Sequence, residues 1–340
     1  LLLLKSPARN LQGEFNMTRI FTEGAEMGDI LFWTSGAVTN LTTAPRSGNR
    51  HFSVSGNNTG TKNITAIAEG YDRRGIYFTS AAVPHQFVRW TKAGTILGSV
   101  RLNPSNSKLE IYTSTGTLVA TSTNALLINT WYLLETHINI GNSSGSIDAR
   151  IDGANFVSSW GDTQPGADTT FDQLVATSTD TMYLDDLALN DTAGGADNSW
   201  CGDGKIVMLR PTAVGDVTQL TPTSGSNWQC VDEVPPNTTD YVSSATAGQY
   251  DLYNCGTTTI AAGDVVKRVQ VEARILEESA TGDSIKLGVK TESTEYWETG
   301  QVVTTAYARY VGNDLTVNPL TNVAWTQTEL DDLQIGVTVV

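Results

Sequence analysis

Apolar and polar residues alternate along most of this chain, and runs with a 3.6-residue period are nearly absent, which predicts strands rather than helices. In KLEIYTSTGTLVATST (108–123), Leu109 and Ile111 alternate with polar residues and Ser114-Thr115-Gly116 turns the chain. Leu118 and Ala120 then resume the pattern, which is the signature of a β-hairpin. NTWYLLETHINI (129–140) and SGSIDARIDGANFVSS (144–159) follow, the second folded back at Asp152-Gly153. VVKRVQVEARIL (265–276) puts Val265, Val269, Val271, Ala273 and Ile275 on one face, with Val266, Arg268, Gln270, Glu272 and Arg274 on the other. IKLGVK (285–290) and IGVTVV (335–340) alternate in the same way, and only TQTELDDLQ (326–334) reads as a short helical turn. Short strands punctuated by turn residues predict an all-β chain of two β-sandwich domains.

Gly, Asp and Asn crowd NDTAGGADNSWCGDG (190–204) after a strand ends. A linker is therefore placed at 193–204, between a first domain at 17–192 and a second at 205–340. Residues 1–16 are set apart as an N-terminal arm. Its apolar Leu1, Leu2, Leu3 and Leu4 are assembly candidates, to be covered by a second copy or by the chain's own body. LLLL runs straight into Lys5, Ser6, Pro7 and Arg9, and no stretch approaches the ~18 apolar residues that span a bilayer.

Composition narrows the partners. The formal net charge of −15 opposes phosphate-rich surfaces, so neither nucleic acid nor an anionic membrane is expected. His51, His85 and His137 are scattered, which gives a zinc site or a histidine triad little to draw on. Cys201, Cys230 and Cys255 have no Cys-x-x-Cys spacing, and one disulfide or three thiols would both fit.

The apolar run MYLDDLALND (182–191) is interrupted by Asp185 and Asp186. Strict alternation would place Asp185 with Tyr183, Leu187 and Leu189, and Asp186 with Met182, Leu184 and Ala188. A general acid and base must converge on one bond at roughly 5–9 Å, so adjacent strand residues do not form a catalytic pair. Asp185, Asp186 and Asp191, beside the linker, are the metal candidates. Calcium is the one cofactor weighed against none, and turn capping is the plainer use of these aspartates. Trp160 in SSWGDTQPG is placed on a loop and is the carbohydrate candidate, whereas Trp131 and Trp90 are assigned to the core.

The order of KLEIYTSTGTLVATST, Trp131 opening its strand, RIDGANFV and MYLDDLALND resembles the concanavalin A-like lectin/glucanase superfamily, in particular its LamG-like jelly rolls, over roughly residues 40–192. Glucanases of that superfamily carry a Glu-x-Asp-x-x-Glu strand, which is missing here, so no enzyme is expected. Residues 202–254 and 318–340 resemble a module of tailed-bacteriophage structural proteins, through Leu209-Arg210-Pro211, Gly215-Asp216, Trp228, VDEVPP and the closing NP…AWT…L…L…GV. That resemblance implies a non-enzymatic virion protein at the particle surface, a homo-oligomer touching major capsid or tail proteins. The alternative is an adhesin whose LamG-like domain binds host surface glycans, with or without calcium.

Overall fold

The computed structural model describes residues 19–280 and 282–340, and Leu1 to Leu4 of the expected arm lie outside the described residues. The described chain divides between Met208 and Leu209 into two compact units.

The first unit opens with β1 (Arg19–Glu23), β2 (Ser35–Gly36), β3 (Val38–Leu41), β4 (His51–Val54) and β5 (Asn58–Ile67). It continues with β6 (Glu69–Phe78), β7 (His85–Lys92), β8 (Thr95–Leu102), β9 (Lys108–Thr113) and β10 (Leu118–Ala125). β11 (Tyr132–Asn139), β12 (Gly145–Ile151), β13 (Ala154–Gly161), β14 (Phe171–Ser178) and β15 (Met182–Asn190) complete it. An eight-stranded antiparallel sheet runs β13-β12-β11-β6-β15-β4-β3, with β1 also on β15, and a seven-stranded sheet runs β10-β9-β8-β7-β14-β5-β2. Strands distant in sequence lie side by side in both, the crossing connectivity of a jelly-roll sandwich. Phe52, Ile76, Leu134 and Leu184 from one sheet meet Phe87, Trp90, Leu97 and Ile111 from the other in a single core, each fully buried. Each contributes about 1.5–3 kcal/mol by leaving water.

The hairpins form where the turn chemistry asks for them. Asp152 and Gly153 both take positive φ, at 51° and 79°, as a two-residue turn between right-twisted strands requires. In β9–β10 the register slips between Leu118 and Ala120, so Ala120 packs on the core while Leu118 stays exposed. Trp90 is in the core as expected. Trp131 is not: it lies half-buried on the outward side of its sheet, with its indole N–H donating to the Ala44 carbonyl at 3.0 Å.

The second unit contains β16 (Pro211–Thr218), β17 (Thr221–Pro222), β18 (Val242–Ser243), β19 (Tyr250–Cys255) and β20 (Glu272–Ile275). β21 (Ser284–Thr291), β22 (Thr294–Trp297), β23 (Gln301–Val302), β24 (Ala308–Val311), α1 (Gln327–Asp331) and β25 (Gln334–Val339) follow. Its main sheet runs β16-β19-β25-β21-β22, with β23 on β21. The β20–β24 ribbon packs on it through Ala273, Ile275, Ala308 and Tyr310 against Leu287, Val289 and Val337. The expected strand at 265–276 is shorter than its alternation suggested. Only Glu272–Ile275 is paired along its length, Val265 is exposed, and Val266 packs on the core although it was assigned to the wet face. The expected helical turn is α1, closed by a capping box between Thr326 and Glu329.

One buried carboxylate organises the start of this unit. Asp251 accepts the backbone N–H groups of Gln219 and Leu220 at 2.6 and 2.9 Å, the Asn227 amide at 2.6 Å and the Tyr253 hydroxyl at 2.8 Å. Removing it strands several buried donors, a loss of about 3–5 kcal/mol. Asp251→Ala is therefore expected to lower the urea midpoint of the second unit sharply, with Asp251→Asn in between. An unchanged midpoint would remove this role.

Candidate functional site

Each sheet of the first unit has an outward face, and the two are used differently. On the eight-stranded sheet, β15 carries a bulge: Asp185 pairs with Gly75 and the next pair is Ala188 with Arg73. Asp186 occupies the extra position with φ 50°. The bulge resets the alternation, so Leu184 and Leu187 both face the core and both aspartates are fully buried. The strict alternation expected from the sequence is corrected here.

Both carboxylates are occupied by the protein's own chain. Asp185 Oδ2 accepts the N–H groups of Arg46 and Ser47 at 2.8 and 3.2 Å, and its Oδ1 accepts that of Asp186 at 2.7 Å. Asp186 takes the Arg46 guanidinium at 2.6 Å, the Ser47 hydroxyl at 2.6 Å and the Ile206 N–H at 2.8 Å. Burial, with the Asp186 charge beside it, pushes the Asp185 carboxyl upward. Gly75 has no side chain because Arg46 fills the space, and a Cβ there would stand 2.6 Å from Arg46 Cδ.

The stretch expected as a linker is a strap laid over this face. Ser199 O accepts from Asn190, Gly202 N–H donates to Glu135 at 2.6 Å, and Arg73 donates to the carbonyls of Asp186 and Gly202. Arg46 also binds the Gly204 carbonyl and Asp203. Trp200 meets Tyr71 edge-on at 5.3 Å, and the Arg150 guanidinium lies 3.7 Å from the Trp200 ring centroid. His137, stacked on Tyr71, holds Glu69 at 2.8 Å and Asp148 at 3.1 Å. Burial lowers its affinity for the proton, but the two carboxylates outweigh this and raise its pKa.

The outward face of the seven-stranded sheet is organised differently. Ser99, Thr91 and Glu110 lie on it yet are shielded from water, and Arg89, Arg101, Tyr112 and Gln173 stand half-exposed around them. Arg101 donates to Ser99 at 2.9 Å and lies 4.3 Å from the Tyr112 ring centroid. Tyr112 donates to Glu110 at 2.6 Å, and Glu110 also accepts the Asn103 amide at 2.6 Å. Thr91 donates to Gln173, which donates to Asn63. These groups bond to neighbours within the same sheet and to Asn103 just past β8. Burial and Glu110 raise the Tyr112 hydroxyl, so it is a donor at neutral pH.

Of the sequence candidates, Asp185 and Asp186 are together, but Asp191 is spent on its own turn, accepting the Ala193 N–H at 2.9 Å. Among the described residues, no group of three or more His, Cys, Asp or Glu side chains is arranged to hold a metal ion. Trp160 is 78% exposed, on β13 opposite Ser146 rather than on a loop. The three cysteines are free thiols. Arg89, Arg101 and Tyr112 were not singled out by the sequence, where they read only as the polar halves of alternating strands.

No protein-family profile and no curated protein sequence matches the chain, so the phage-module resemblance of its second half finds no counterpart there. Solved structures of similar fold include the cellulose-induced protein Cip1, at 14% identity over 54% of this chain and 100% of that one, with a TM-score of 0.41. The endo-β-1,4-glucuronan lyase of the fungus Trichoderma reesei matches at 10% identity over 52% and 96%, TM-score 0.38. The carbohydrate-binding module CBM66 from Bacillus subtilis matches at 7% over 47% and 97%, TM-score 0.34. The expectation that the chain is not an enzyme is corrected: the solved structures of similar fold include proteins named as lyases.

Glu26 gives the first unit a pH signature. Burial raises its carboxyl to about 7, against the N–H groups of Asn49 and Arg50 that it accepts. A folded-state pKa above the unfolded one means the folded chain keeps a proton that the unfolded chain has lost. Its contribution is complete below about pH 4.5 and is lost as pH rises to about 7, on the order of 2–3 kcal/mol. His51, lowered to about 4 by burial, acts in the opposite direction between about pH 4 and 6.5. The difference between wild type and Glu26→Gln in urea midpoint is therefore expected to slope across pH 4.5–7, and a flat difference refutes the assignment.

Proposed function

We propose that the first unit binds carbohydrate on the outward face of the seven-stranded sheet. The observation that carries the reading is the contrast between the two faces. The eight-stranded sheet turns Asp185, Asp186, Glu135 and Arg73 to its own 44–50 and 199–206 segments. The seven-stranded sheet presents Tyr112, Gln173, Arg89 and Arg101 around a shielded polar floor of Ser99, Thr91 and Glu110. A sugar offers hydroxyls and an apolar C–H face, and it is met by fixed amide, carboxylate and guanidinium groups beside an aromatic ring. Host or environmental glycans are the partner class. Trp160, as an isolated exposed ring on β13, favours a second location on the other sheet.

Affinity electrophoresis of the full chain in gels containing polysaccharides locates the site. Tyr112→Ala is expected to weaken retention about ten-fold, equivalent to ~1.4 kcal/mol, while Trp160→Ala leaves it unchanged. The reverse result moves the site to β13, and no retardation by any glycan removes the reading. The virion assignment of residues 200–340 rests on its sequence motifs. A trimer or larger particle in light scattering supports it, and a monomer at all concentrations counts against it.

A further inference from the structure

We propose that Arg89, with Arg101 beside it, receives the anionic group, carboxylate or sulfate, of an acidic polysaccharide laid across the seven-stranded sheet. The inference rests on the carbohydrate-binding reading and names its sugar class.

Arg89 lies on β7, between β14 and β8, with Val175 on one side and Ser99 on the other. Arg101 stands two residues along β8 from Ser99 on the same face, a diagonal neighbour at roughly 7–8 Å between backbones. The Arg89 Nε is fully buried and has no hydrogen-bond partner. Among the described residues, the Arg89 guanidinium makes no hydrogen bond or ion pair. Three other sequestered arginines are placed differently. Arg74 grips Asp72 with two bonds, Arg46 holds Asp186 and Asp203, and Arg73 donates to the carbonyls of Asp186 and Gly202.

An unpartnered guanidinium taken partly out of water is unfavourable. Here burial, and then the like charge of Arg101, push the Arg89 pKa down. The chain has 36 acidic residues against 21 basic ones, so a carboxylate partner was readily available had the role been structural. The nearby carboxylate, Glu110, is instead engaged by Asn103 and Tyr112. Arg101 is oriented by Ser99 and by the Tyr112 ring. Two guanidiniums side by side repel each other in the free protein, and an incoming anion relieves that repulsion. Arginine presents a planar fork of donors that fits a carboxylate or sulfate through two parallel bonds. Gln173, half-exposed alongside and held by the buried Thr91 beneath it, supplies a neutral amide for sugar hydroxyls. Nucleic acid is a poor fit to this pair, because a net charge of −15 opposes a dense polyanion.

The test is calorimetric titration of the full chain with three oligosaccharides of equal length: one uronate-bearing, one sulfated and one neutral. Arg89→Ala is expected to weaken the acidic sugar ten- to hundred-fold, the scale of a charge-assisted pair, with Arg89→Lys in between. The preference between the first two ligands identifies the anionic group. Added salt is expected to weaken acidic binding only, and Tyr112→Ala to weaken neutral and acidic sugars alike. The thermal midpoint of Arg89→Ala is expected to equal or exceed that of wild type, since no native bond is lost. A lower midpoint assigns Arg89 a structural role and overturns the proposal. Acidic binding unchanged in Arg89→Ala, or binding of the neutral sugar alone, also overturns it while leaving carbohydrate binding intact. No binding of any of the three removes both readings.

Discussion

The architecture of the first unit turns on one carboxylate. Asp186 sits at a bulge that sheet pairing alone would not select, in a backbone conformation that few side chains adopt, with no access to water. Its charge is tolerable only because Arg46, Ser47 and the Ile206 N–H converge on it. That convergence fixes the loop before β4 and the strap after β15 in one step. A buried ion pair of this kind adds little net stability over an apolar substitute, but breaking one side of it is costly. What it supplies is a link between the loop before β4, the bulge of β15 and the strap, whose donors all meet on one carboxylate.

Much of the fold was legible because strand alternation is a local signal. The hairpin at Asp152-Gly153, the capping box at Thr326 and the buried Trp90 all follow from neighbours within a few residues. The misreadings have a common cause. Alternation counts residues, and a bulge adds one without announcing itself, so Leu187 and Leu118 were placed on the wrong faces. Trp131 looked like a core residue, but it satisfies its indole on Ala44, 87 positions away. The strap looked like a linker because Gly, Asp and Asn are the residues both of loose turns and of backbone that approaches a sheet closely. Arg89 was invisible for a further reason: its distinguishing property is the lack of a partner, and partners on a jelly roll come from distant strands.

The two outward faces show how one alternating pattern can serve two ends. Both read in sequence as polar halves of half-buried strands. On the eight-stranded sheet the polar half is sealed by the chain itself, with His137, Glu69, Asp148, Arg73 and Glu135 satisfying one another and the strap. On the seven-stranded sheet, Ser99 and Glu110 form a satisfied floor beneath residues that still face water. A ligand surface requires this combination, in which the supporting groups are fixed and the contacting groups are free.

The strap also defines where the sandwich ends as a physical object. The last strand closes at Asn190, and a fragment cut there would retain every strand of both sheets. It would nonetheless expose Asp186, Glu135 and Arg73 on a face built to be covered, and it would release Arg46 from Gly204 and Asp203. The smallest autonomous piece is set by the reach of those charges, so it extends to Ile206. For the same reason, a protease that nicks the glycines at 202 and 204 would loosen the sandwich from its outer side while leaving its hydrophobic interior untouched.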